Sequence, residues 1–210
     1  MFQMMNGARY RTGLSAMAVA SSAYALAVQY ARERIQGRLY TNPKAGRVTI
    51  IKHEDIRRLL LNSKAIIESQ RALIAKTSMM MDIADYAESA EERIKAKAWI
   101  DVTTPIIKAF CSDLAWQVVA DCIQVFGGYG FCEDYGVAQC ARDVKIFSLY
   151  EGTNYIQAQD LVGRKWSMKK GTIFAEVLKE IEDFITANQG RAGFDKEFGN
   201  LARALKAYKE

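Results

Sequence analysis

Between residues 54 and 89 the apolar side chains fall into two adjacent seven-residue columns, Leu59, Ile66, Leu73, Met80 and Leu60, Ile67, Ile74, Met81. Seven residues make close to two α-helical turns, so each column runs along one side of a helix, and the pair forms an apolar face too broad to leave in water. Such a helix needs packing partners, as in a bundle. Residues 3 to 34 offer one: Leu14, Met17, Ala18, Ser21, Ala25 and Val28 recur at steps of three and four, with small side chains that admit a close neighbour. Gly37 and the Asn42-Pro43 turn stop that helix. A third helix is expected over 91 to 125, with Ile100, Thr104, Ile107, Cys111, Leu114, Val118, Cys122 and Val125 on one side. The connection from the second helix is little more than a turn, so the two should run antiparallel. Pro105 lies inside the third pattern, where it removes a backbone donor and should bend the helix.

The Gly127-Gly128-Tyr129-Gly130 run ends the third helix and is expected to open a loop with an uncovered backbone. Shorter helices over 134 to 147 and 154 to 165 bracket the segment LYEGTNYIQ. Phe174, Val177, Leu178, Ile181, Phe184 and Ile185 mark a further amphipathic helix, NQGRAG a loop, and Phe198, Leu201, Ala202 and Leu205 the start of another. The one period-two alternation is the short Arg47 to Ile51 run, and no internal repeat is present. The fold class is all-α.

The chain has 210 residues, half of them hydrophobic, which suffices for one substantial core and a small appendage. With two prolines and no Ser/Gly/Pro-rich stretch, long disordered linkers are not expected. The net charge of +5 comes from 29 basic and 24 acidic residues interspersed along the chain, a pattern that suits an anionic small molecule and not a nucleic acid. Cys111, Cys122, Cys132 and Cys140 lack C-x-x-C spacing and His53 is the only histidine, so no metal site is expected. The cysteines are expected to be reduced and mostly buried, His53 to start a helix, and Met79, Met80 and Met81 to fill the core. No apolar run of about 20 residues and no signal peptide is read, which predicts a cytoplasmic or organelle-matrix protein without stable membrane insertion.

Glu151 is the most suggestive residue for chemistry. Tyr150-Glu151-Gly152-Thr153 sets a carboxylate between a bulky apolar stretch and a helix start, where desolvation could make it a proton acceptor and a nearby N–H could polarise a carbonyl. Taken alone, Thr153 also reads as an N-cap with a structural Glu beside it. Gln124 and the GGYG run could cradle a ligand or simply cap a helix; they make neither a Walker loop nor a Rossmann turn. Arg34, with Arg32 and Arg38 nearby, could hold a pyrophosphate or merely complement a helix C-terminus, and Arg9 could be a solvated charge.

Together, in order and spacing, these segments resemble the acyl-CoA dehydrogenase family. YARERIQG is similar to its Y-A-x-E-R-x-x-F-G segment, QVFGGYGF to its Q-x-x-G-G-x-G-F loop, and ARDVKIFSLYEGTNYIQ to its R-D-x-x-I-x-x-I-Y-E-G-T-x-x-I-Q signature. The resemblance covers residues 1 to 166 and implies an up-down-up-down four-helix bundle, the family's C-terminal domain. RERIQG with IQAQDLVGRK resembles the larger bacterial subfamily, so residues 167 to 210 would begin an additional helical domain, here partial. The family's N-terminal helical and middle β-domains have no counterpart in these residues. YARERIQG lacks the usual phenylalanine, and the 38 to 52 loop is longer than common.

The resemblance implies FAD as cofactor and an acyl-CoA thioester as substrate, oxidised to a trans-2-enoyl-CoA with Glu151 as the α-proton base. Electron-transfer flavoprotein or another acceptor would take the electrons. Ala8 occupies the position from which some relatives supply the base, and it cannot serve. Arg34, Gln124, Val125, Phe126, Gly127 and Gly128 match positions that grip the FAD of a neighbouring subunit, which implies a homodimer or homotetramer. Thr153, Asn154 and Tyr155 match flavin-contacting positions, and Asn6, Gly7, Ala8, Arg9, Tyr150 and Gly152 substrate-lining ones. Glu151 is then expected to face the glycine loop or its copy in a dimer mate. Two other functions share these motifs: a non-catalytic helical oligomerisation module, and an acyl-CoA oxidase relative that releases peroxide. In isolation the chain is expected to turn over little, because its flavin would lie open to water.

Overall fold

The computed structural model describes residues 2–209, and among them every regular element is helical. Three long helices, α1 (Phe2–Glu33), α2 (Glu54–Tyr86) and α3 (Ala90–Phe126), lie side by side. A fourth stave is built in pieces from α5 (Gly136–Lys145), a 3₁₀ turn, and α6 (Asn154–Asp160) continued by a π-turn over Leu161–Lys165. The contacts fix its direction: Tyr135 packs on Phe126, Asn154 bonds Ser112, and Lys165 bonds Asp101, so it descends antiparallel to α3. Likewise Gln70 of α2 donates to the carbonyl of Cys111, and Asn6 of α1 bonds Asp101, which makes the order up, down, up, down.

The core is continuous along the bundle and built largely from Ala16, Ala20, Ala23, Ala27 and Ala31 of α1 against Ile107, Cys111, Ala115, Val118 and Val119 of α3. The inward face of α1 differs from the one its larger residues suggested. Leu14 is 37% exposed and Ala18 and Ala25 lie outside, while Arg9, Thr12 and Gly13 point in. The cause is the closeness of α3: a Cβ on Gly13 would meet Ile107 Cγ2 at 2.6 Å and the Ile107 carbonyl oxygen at 3.0 Å. At that crossing only a small side chain fits, and the neighbouring Leu14 turns outward. Both columns of α2 face inward as expected, with Leu59, Leu60, Ile67 and Ile74 buried. Between them runs an unforeseen polar column, Ser63, Gln70 and Thr77, fully enclosed.

Four other expectations need correction. Met79 is 51% exposed and does not fill the core. The glycine run is no open loop: Gly127 caps α3 with φ of 62°, and residues 128 to 131 form one more helical turn, α4 (Gly128–Phe131). Gly130 is buried there, because a Cβ would sit 2.6 Å from the Ile123 carbonyl oxygen. Of the cysteines, all free, Cys111 and Cys122 are buried, Cys140 is half-buried and Cys132 is exposed. Finally, Met5–Glu33 is long and apolar enough by length and composition to cross a membrane, because its hydropathy is spread over alanines and not concentrated in a dense apolar run. In the bundle this segment packs its small-residue face on α3.

Residues 47 to 51 form no strand; Ile35 and Thr49 make a single antiparallel bridge before a 3₁₀ turn at Ile50–Lys52. Pro105 stays inside α3, and Thr103 and Thr104 beside it donate their hydroxyls back to the Trp99 and Ile100 carbonyls. Beyond the π-turn, α7 (Thr172–Ala187) and α8 (Asp195–Lys209) fold back on the bundle. Ile173 and Phe174 close a second small core with Ala98 and Val102, the Trp166, Phe174 and Tyr208 rings pack on one another, and Lys76 pairs with Glu180.

Candidate active site

Glu151 lies in the turn between the 3₁₀ segment and α6, with φ of 58°, and Gly152 follows with φ of 83°. A left-handed backbone costs a non-glycine residue roughly 1–2 kcal/mol, so something must hold it there. Three side-chain bonds do so. The Glu151 carbonyl accepts from Arg9 Nε at 3.4 Å and from Gln157 Nε2 at 3.3 Å, and Gln157 Nε2 also donates to the Gly152 carbonyl at 3.0 Å. The φ of Gly152 favours glycine, and a Cβ there would also crowd Gln157 Nε2 at 3.0 Å and Ile156 Cγ2 at 3.3 Å. Thr153 then caps α6, its hydroxyl accepting from the Ile156 N–H. Glu151 is half-buried, and its carboxylate has no hydrogen bond or ion pair among the described residues.

Two buried cations stand behind this turn. Arg9, 6% exposed, bonds Asp160 Oδ2 at 2.8 Å, and Arg164 takes the other oxygen of Asp160 at 2.7 Å. Lys108 is fully enclosed and donates to Asn154 Oδ1 at 2.8 Å. Burial pushes the Lys108 ammonium down to about 8, with Asp113 opposing, Arg9 adding to the shift and Glu151 opposing it. Asn154 is saturated in turn: its Nδ2 donates to Ser112 at 2.9 Å and Asp113 at 2.6 Å. Its amide thus locks the start of α6 onto α3. Arg9 is similarly committed inside the protein, because its buried charge needs Asp160.

Asn6 and Gly7 line a groove of about 520 Å³ with Asp85, Lys97 and Asp101, where Asn6 Nδ2 bonds Asp101 at 2.7 Å. Ala8 offers only a carbonyl, which Thr12 occupies. Tyr150 is exposed and leans on Phe147, and Tyr155 is more exposed still. At the opposite end of the bundle, Arg34, Gln124, Val125, Phe126 and Gly127 border a second cavity of about 320 Å³ with Tyr30, Gly37 and His53. Arg34 lies over the Tyr129 ring at 5.3 Å, and its Nε is buried without a hydrogen-bond partner. The Val125 and Phe126 side chains are buried, Phe126 stacking on Tyr30 at 4.3 Å. Gly127 and Gly128 have open space where a Cβ would be. His53 bonds the Gln36 carbonyl from the start of α2.

The two groups are not one site within the chain. At 1.5 Å of rise per residue, the 25 positions from Arg9 to Arg34 put them about 38 Å apart. Glu151 therefore does not face the glycine turn of its own chain.

A family model described as "Acyl-CoA dehydrogenase, C-terminal domain" matches residues 1–165. This chain belongs to the acyl-CoA dehydrogenase family. It is similar to a butyryl-CoA dehydrogenase of Syntrophomonas wolfei, with 45% identity over 208 residues covering 99% of this chain and 34% of that protein. The solved structure of butyryl-CoA dehydrogenase from Megasphaera elsdenii superimposes with a TM-score of 0.61 at 31% identity, covering 77% of this chain and 36% of that one. The Caenorhabditis elegans ACDH-11 structure shares the fold over 98% of this chain and 32% of its own, with a TM-score of 0.83 at 19% identity. The chain spans about a third of the length of these relatives.

Within this acyl-CoA dehydrogenase domain, three residues packed around the Glu151 turn were not singled out by the sequence: Lys108, Gln157, which braces the turn, and Asp160. A signal existed for the first, since Lys108 falls between Thr104 and Ser112 on the enclosed face of α3, where a lysine needs a reason. Asp160 gave none, because its partner lies 151 positions away in sequence.

Proposed function

We propose that this chain is the base-bearing, flavin-binding C-terminal part of an acyl-CoA dehydrogenase that converts an acyl-CoA to its trans-2-enoyl-CoA. The observation that carries this is the Glu151 turn: its backbone is fixed by Arg9 and Gln157 while its carboxylate has no partner among the described residues. A carboxylate held in place yet unpaired is suited to take a proton from carbon. Glu151 would remove the α-proton of the thioester, and its N–H, which makes no hydrogen bond among the described residues, would donate to the thioester oxygen as negative charge builds there. When bound, FAD supplies the two-electron acceptor for the hydride leaving the β-carbon.

The far cavity fits an anionic cofactor. Arg34 Nε is an orphaned buried donor, and the uncovered Gly127 and Gly128 leave backbone within reach of a ligand. Arg34, Gln124 and the Gly127–Gly128 backbone would hold the pyrophosphate and adenosine, while Thr153 and Tyr155 would touch the flavin at the Glu151 end. Because the two ends lie about 38 Å apart along α1, one flavin cannot use both ends of one chain by compact contacts, which favours an oligomer sharing its cofactors. Electron-transfer flavoprotein would reoxidise the enzyme.

The test is a visible flavin spectrum in the purified holoenzyme and its bleaching by an acyl-CoA without oxygen. Bleaching supports the dehydrogenase; fast peroxide release in air would point to an oxidase. Oligomers that bind neither FAD nor acyl-CoA would leave a purely structural module.

A further inference from the structure

Of the bonds that fix the Glu151 turn, those of Gln157 come from α6 itself, so the Arg9 bond is the one that ties the Glu151 carbonyl to a neighbouring long helix. An arginine side chain has many rotamers, and a bond of 3.4 Å from its Nε holds nothing unless the guanidinium is itself immobile. Asp160 supplies that immobility. One of its oxygens bonds Arg9 at 2.8 Å, the other bonds Arg164 at 2.7 Å, and the Arg9 and Asp160 side chains are 8% and 7% exposed. Arg9 Nη2 also approaches the position a Gly152 Cβ would take, at 3.6 Å, so the guanidinium plane closes one side of the turn.

We propose that Asp160 is a positioning residue for the base: by clamping Arg9 it fixes the Glu151 carbonyl and, through it, the left-handed turn that aims the Glu151 carboxylate. The effect of Asp160 runs through Arg9. This rests on Glu151 being the base.

The experiment compares Asp160→Asn with the unaltered protein by two readouts. In the 210-residue chain, NMR follows hydrogen exchange of the Arg9 Nε–H and of the Ile156 and Gln157 amides, with α2 amides as reference. At least tenfold faster exchange at Arg9 and the start of α6 is expected, with α2 unchanged; equal exchange, or a uniform rise across the bundle, overturns the proposal. In the holoenzyme, kcat is expected to fall 10- to 100-fold with KM within about twofold, and an unchanged kcat overturns it. If Asp160→Asn does not fold, the pair Arg9→Met with Asp160→Leu removes both buried charges together at similar volume and keeps the packing. The same local loosening is then expected, and wild-type exchange at Ile156 and Gln157 sinks the clamp. Glu151→Gln run alongside separates the failures: unchanged turnover there removes the base assignment, whereas unchanged exchange in Asp160→Asn removes the clamp alone.

Discussion

Glu151 and Lys108 hold opposite charges at the same turn under opposite circumstances, one half-buried and unpaired, the other enclosed and bonded to Asn154. Enclosing an ammonium is unfavourable, and Lys108 is accordingly pushed down to about 8 from 10.5. The sign of its effect follows. Below pH 8 both folded and unfolded chains carry the charge and the penalty is fully present; between 8 and 10.5 the unfolded chain binds more protons, so stability rises with pH. Cys111 and Cys122, pushed up to about 12 from 9.0 by burial, act the other way above pH 9, where the unfolded thiols ionise first. Denaturant midpoints of the wild type should therefore rise between pH 7.5 and 9 relative to those of Lys108→Met, and parallel curves would show that Lys108 is not strained by burial. Sequence motifs exposed Glu151, Gly152 and Thr153 because their chemistry is local: a carboxylate, a positive φ and a cap. Residue patterns alone read Arg9 as a solvated charge, and the resemblance gave it as substrate-lining; neither showed its burial, because its partner Asp160 lies on another helix.

Helices fared better than their faces. The bounds of α2 and α3 follow from periodicity to within a few residues, since two broad apolar columns leave one way to pack. In α1 the same rule misled, because it weighs large side chains and the tight α1–α3 crossing selects small ones. Gly13→Ala tests that crossing: its new methyl must displace Ile107, and overpacking of this kind costs about 1–3 kcal/mol. Thermal or chemical unfolding would report it, and a loss under half a kcal/mol would mean the helices can move apart cheaply. The glycine run misled for a related reason. Gly127 does end α3, but Gly130 serves close packing on Ile123, a demand of the fold that composition alone does not separate from a demand of a ligand.

At the scale of the molecule, α7 and α8 are fastened to the bundle through Ile173, Phe174 and the Trp166 stack. Full burial of an Ile or Phe side chain is worth about 1.5–3 kcal/mol before ordering costs are set against it. Ending the chain after Lys165 should leave a folded bundle whose Tm is lower by several degrees, and an unchanged Tm would show that the extension adds nothing to it. The all-helical fold and its family were legible from pattern and motif, whereas the separation of Arg34 from Glu151 follows only from the unbroken length of α1. The most direct measurement is single-turnover flavin reduction by an acyl-CoA in the Glu151→Gln holoenzyme. The account predicts a rate at least about 100-fold below wild type with flavin still bound; a rate equal to wild type would contradict it.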